Sequence, residues 1–120
     1  MSAQTQESFI RSVAESETIL TNIGFLHHST ERKGYATYID YKRDDTLITF
    51  MLGPSDWNVE ISIFTNNRKY AFKDLLEIPS IAQWPASNKF EQASKDIIND
   101  EVIWFMKFIR FSLTEIVSKG

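Results

Sequence analysis

Alternation governs the middle of the chain. From Trp57 to Phe64 the residues place Trp57, Val59, Ile61 and Ile63 on one side and Asn58, Glu60 and Ser62 on the other. A period of two with one wet side predicts a half-buried antiparallel strand over 57–64. The same pattern predicts a strand over about 35–41, where Tyr35, Thr37, Ile39 and Tyr41 alternate with Ala36, Tyr38 and Asp40. Another is predicted over about 46–52, with Ile48, Phe50 and Leu52 on its more apolar side, and a short fourth strand over 69–72. Between them lie polar or Gly-Pro turns: 42–45, 53–56, and 65–69 with its two asparagines, which tolerate positive φ. Loops this short make an antiparallel meander the simplest topology.

Helical spacing flanks the strands. Phe9, Val13, Leu20 and Ile23 share one stripe, with Ile19 at its edge and Gly24 as terminator. The polar stretch 27–34 reads as a connection. Residues 73–77 read as a turn or two of helix before Pro79, and 80–87, with Trp84-Pro85, as irregular. Asn88 followed three residues on by Glu91 resembles a capping box, so a long helix is predicted from there to about Lys119, with Asn99-Asp100 as its weakest point. Phe90, Ala93, Ile97, Trp104, Phe108 and Phe111 would line one side, and Ile98, Val102, Phe105, Ile109 and Ile116 the adjacent one. The expected fold is therefore α+β in a single domain over 1–120. It has an N-terminal helix, a three- to four-stranded antiparallel meander, and a short helix and a long C-terminal helix packed on one sheet face.

Composition narrows the function classes. The chain has 120 residues, 42% hydrophobic and 24% charged, with a net charge of −3. It has no cysteine, hence no disulfide or thiolate chemistry. Charge is spread without a basic stripe, so nucleic acid is not an expected partner. No stretch is long and apolar enough to span a membrane, and the polar, acidic N-terminus is unlike a secretory signal, so a soluble cytoplasmic protein is expected.

Candidate chemistry is thin. His27-His28 are adjacent, so their side chains diverge, and no other metal-ligand spacing supports them. No Gly-x-Ser-x-Gly elbow is present for a serine nucleophile. Asp40 and Glu60 share the wetter sheet side, but neither has an apolar pocket to raise its pKa for acid catalysis. Glu101 and Glu115 fall within the apolar arc of the last helix. An enzyme or small-ligand-binding domain would need them in a pocket between helix and sheet, and a surplus of apolar surface on that helix would suit a homodimer. No catalytic residue, metal ligand or cofactor is expected. What remains is the uncovered sheet side: Tyr38, Asp40, Thr49, Met51, Asn58, Glu60 and Ser62, with Asp44, Asp45 and Asp56 adding negative charge at its ends. Tyrosine, carboxylates and an adaptable methionine suit a protein-binding surface for a basic partner.

The order of signals resembles small uncharacterised bacterial α+β proteins, some of them immunity proteins encoded beside polymorphic or contact-dependent toxins. The elements that carry it are the helix ending Ile23-Gly24-Phe25, the tyrosine-rich strand 35–41, the strands 47–52 and 56–63, Phe72-Lys73-Asp74-Leu75-Leu76, and the final helix ending at 116–120. The resemblance implies a non-enzymatic protein that binds and neutralises one cognate toxin. It carries over no binding residues, because those surfaces differ from member to member. From the residues themselves, Tyr38, Asp40, Asp56 and Glu60 are the expected partner contacts.

Overall fold

The alternating stretches pair with one another in sequence order, and the result is one antiparallel sheet. The computed structural model describes residues 2–34, 36–53, 59–91 and 96–119. Helices α1 (Ser2–Ser16) and α2 (Thr18–Thr21) lead into strands β1 (Leu26–Lys33), β2 (Ala36–Arg43), β3 (Thr46–Leu52), β4 (Val59–Thr65) and β5 (Arg68–Ala71). Helices α3 (Phe72–Leu75), α4 (Pro79–Ser87) and α5 (Ile97–Lys119) follow. The five strands lie in sequence order, every neighbouring pair antiparallel. Asn66 and Asn67, at φ 54° and 60°, close the β4–β5 hairpin as a primed turn whose twist matches the strands. Asp44 at φ 51° helps close β2–β3, and Gly34 at φ 63° begins the reversal between β1 and β2.

One face of the sheet is the core. Thr37, Ile39 and Tyr41 of β2, Ile48, Phe50 and Leu52 of β3, and Val59, Ile61 and Ile63 of β4 are all buried. Each fully buried side chain of this size contributes about 1.5–3 kcal/mol relative to exposure. Phe9 and Val13 of α1, Leu20 of α2, Leu75 of α3 and Ile81 of α4 join them, as do Val102, Met106, Phe108, Ile109, Leu113 and Ile116 of α5. Helices α1 and α5 pack on each other over this face, so α5 lies in the middle of the protein. Tyr41 is buried in the core, and its hydroxyl donates to Glu17 Oε2 at 2.7 Å, where α1 gives way to α2. Burial first, and that hydrogen bond second, push its pKa well above the ordinary phenol value.

Several expectations need correction. The sheet has five strands, not three or four: the polar stretch after Leu26 is β1. Seven of its eight residues are exposed, because the helices leave both sides of this edge uncovered. The ladder to β2 holds it, and no hydrophobic alternation is required. The first helix breaks at Glu17 into α1 and α2. The stretch read as irregular is helix α4, with Pro79 in its first turn, where a proline costs no hydrogen bond, and Pro85 near its end. Helix α5 starts at Ile97 rather than Asn88. Asp96 Oδ1 accepts from the Asn99 N–H at 3.1 Å and so provides the cap, while Asn88 instead ends α4 by donating to the Trp84 carbonyl at 3.0 Å. Asn99 and Asp100 do not break α5; they form its first turn, where Asp100 suits the helix dipole. Phe90 and Ile97, expected in the core, are 38% and 47% exposed. The expectations for Tyr35, Asp56, Trp57, Asn58 and Ala93 fall outside the described residues.

Candidate protein-binding face

The helices occupy one side of the sheet and leave the other without cover. Register sorts the side chains of that open face into rows across the strands. Tyr38 pairs with Glu31 of β1 and Met51 of β3, and Met51 pairs with Glu60 of β4. The next row is Ser29, Asp40, Thr49, Ser62 and Ala71, and beyond it comes Leu26, Lys42, Leu47, Phe64 and Lys69. Three of the four expected contacts, Tyr38, Asp40 and Glu60, thus share one face. Tyr38 and Asp40 are half-buried and Glu60 is exposed. Asp56 lies outside the described residues.

Asp40, on the second of the five strands, is held in place on this surface. Its Oδ2 accepts from the Ser29 hydroxyl at 3.1 Å and its Oδ1 from the Thr49 hydroxyl at 2.7 Å, so one carboxylate ties three strands together. No cation among the described residues lies within ion-pairing distance of it. Glu31, by contrast, pairs with Lys33 at 3.6 Å, and the Lys33 ammonium also stands 5.6 Å over the Tyr38 ring. Asp40 and Glu60 are two strands and one row apart, about 12 Å between Cα atoms by ordinary sheet spacing. That is too far to share a proton, and both face outward.

The other candidates are placed as follows. The His27 ring bonds Thr30 Oγ1 at 2.7 Å and stands edge-on to Tyr41, whereas His28 occupies a bulge in the β1–β2 pairing. Among the described residues no group of three or more His, Asp or Glu side chains is arranged to hold a metal ion. Glu101 and Glu115 are half-buried on α5, and neither lines a cavity described for this structure. Burial raises the pKa of Glu101 above the ordinary carboxylate value. The aromatic side chains of α5 belong to packing: Trp104 stacks on Phe108 with ring centroids 5.8 Å apart, Phe72 meets Phe105 edge-on at 5.3 Å, and Trp84 closes over the group. A cavity of about 320 Å³ beside Trp84 and Trp104 is bordered by Lys89 and Lys107 as well as Glu91 and Asp100, so its charges offset one another.

Sequence reasoning missed one part of the open face. Leu26 and Phe64 are 69% and 42% exposed and lie in the same row, on β1 and β4. The signal for Phe64 was present: by parity it follows Glu60 and Ser62 onto the wet side. Leu26 gave none, because β1 has no alternation.

Comparison with protein-family models, characterised proteins and solved structures finds no match for this chain. The functional reading therefore rests on the geometry. No helix of the described residues is long and apolar enough to cross a membrane.

Proposed function

We propose that this protein is a non-enzymatic binding module of the immunity type, which neutralises a cognate bacterial protein toxin in the cytoplasm by covering its active or substrate-binding surface. The observation that carries the reading is Asp40, a carboxylate on the second strand of a five-stranded face, fixed there by hydrogen bonds from Ser29 and Thr49, with no covering helix and no intramolecular cation among the described residues. A charge held rigidly and left uncompensated loses little conformational freedom when a partner's cation meets it, which favours affinity and register. Tyr38, Met51 and Glu60 surround it with the aromatic, adaptable and acidic groups that interfaces use.

The test is co-expression with the product of the adjacent gene. The expected result is that the neighbour arrests growth alone, that this protein restores growth, and that the double reversal Asp40→Lys/Glu60→Lys abolishes both protection and complex formation. A neighbour that neither harms cells nor binds this protein would overturn the immunity reading. Protection unchanged by the double reversal would overturn the assignment of the face.

A further inference from the structure

The row at the turn end of the open face has a composition that folding does not require. Lys42, Leu47, Phe64 and Lys69 succeed one another across β2 to β5, and Leu26 extends the row onto β1. Leu47 and Phe64 line a concavity of about 600 Å³. The sheet's core lies wholly on the opposite face, so Leu47 and Phe64 gain only their cross-strand contact with each other and keep apolar area in solvent that a partner would cover. The next row, two residues along each strand and about 7 Å away, contains Asp40. Each of its oxygens accepts one hydrogen bond from its neighbours, and an ionised carboxylate has about four acceptor sites, so capacity remains toward solvent.

We infer that this end of the face is a two-point docking surface for a protein segment that seats one apolar side chain against Leu47 and Phe64 and lays an Arg or Lys on Asp40, one row along and one to two strands across, about 8–12 Å away between Cα atoms. The inference rests on the open face being the partner surface and specifies what that partner must present there. Charge sets the order of the two points. Lys42 and Asp45 both border the concavity and offset one another, with Lys69 beside Phe64 on β5, so the apolar point does not draw a cation, while Asp40 one row on attracts one. In an extended segment the pair would be an apolar residue and a basic one two or four positions apart, since side chains on one side of a strand repeat every two residues, about 7 Å, and the span between the two points lies between one and two such repeats. A second copy of this chain fits poorly: two open faces related by a two-fold axis along the Asp40 row would set Asp40 against Asp40, two carboxylates desolvated with no cation between them.

The experiment is selection of a phage-displayed random peptide library on the immobilised full chain. Enriched peptides are then titrated by fluorescence polarisation against wild type, Phe64→Ser, Leu26→Ser, Asp40→Asn and, as an exposed apolar control on the helical side, Phe90→Ser. The expected result is enrichment of an apolar residue paired with Arg or Lys two or four positions away. Affinity should fall about 30-fold in Phe64→Ser and about tenfold in Asp40→Asn, with Phe90→Ser unchanged and all four variants retaining a cooperative thermal transition. The inference is overturned if no sequence enriches, if enriched sequences lack the pair, or if they bind Phe64→Ser and Leu26→Ser as they bind wild type. Self-association in sedimentation that Phe64→Ser abolishes would assign the row to a second copy and overturn it as well. Peptides of this pattern that bind while the neighbouring gene's product does not would sink the immunity reading alone. Binding of that product that depends on Glu60 but ignores Phe64→Ser would sink this inference alone.

Discussion

The two faces of the sheet are built from the same strands and solve opposite problems. On the inner face Ile39, Phe50 and Ile61, in cross-strand register on β2, β3 and β4, are at most 4% exposed and are held by dispersion and the exclusion of water. One residue further along each strand, Asp40, Thr49 and Ser62 form a polar row on the face turned away from the core, tied to β1 through Ser29. The inner face tolerates polar atoms badly: the Thr37 hydroxyl is buried with no hydrogen-bond partner among the described residues. The open face satisfies the Asp40 carboxylate twice over and still leaves it accessible. A single shift in parity therefore separates residues that hold the fold together from residues that are available to something else.

Paired substitutions across that boundary should break the comparison if it is wrong. Phe50→Ala empties a fully buried site in the sheet's centre and is expected to cost about 3–5 kcal/mol in chemical denaturation. Thr49→Ala, its neighbour on the opposite face, removes one partly solvated hydrogen bond to Asp40 and is expected to cost about 1 kcal/mol or less. Comparable losses from the two would mean that the open face is covered in the native protein.

Tyr41→Phe comes next. It deletes the buried hydroxyl that donates to Glu17, and a loss of about 1.5 kcal/mol is expected near neutral pH, because the acceptor is a carboxylate. The same group sets a pH dependence. Its folded pKa is raised, so the unfolded chain ionises first, near the ordinary phenol value of about 10. The wild type should hold constant stability from this group below that pH and lose stability as pH rises above it, and Tyr41→Phe should flatten that alkaline loss. Denaturation midpoints across the alkaline range decide it. The smallest effect runs in the other direction: Thr37→Val, which removes the orphaned inner-face hydroxyl, should raise stability by about 1 kcal/mol.

Much of this division was legible in the sequence, and for one reason. Wherever a strand has one dry and one wet side, burial writes a period of two into the residues, so β2, β3 and the apolar side of β4 could be read directly, together with the shared face of Tyr38, Asp40 and Glu60. Where neither side is dry the pattern vanishes. His27, Ser29, Glu31 and Lys33 of β1 carry no such signal, and the fifth strand was lost with them. The boundary of α5 failed because the Asn88-x-x-Glu91 pattern was read as its start, whereas the N-cap is Asp96, whose side chain satisfies the backbone N–H of Asn99. Leu26, Leu47 and Phe64 became a group only once register aligned them, because three residues far apart in sequence have no common local pattern.

The central claim is that the open face, and not the helical side, meets the partner. Methyl NMR of this protein titrated with the product of the neighbouring gene tests it most directly, because Leu47, Thr49 and Met51 carry reporters on the open face while Ile103 and Val102 report from α5. The account predicts large shift changes or broadening at Leu47, Thr49 and Met51, with Ile103 and Val102 unmoved. Perturbation centred on α5, with the three β3 methyls unchanged, would contradict it.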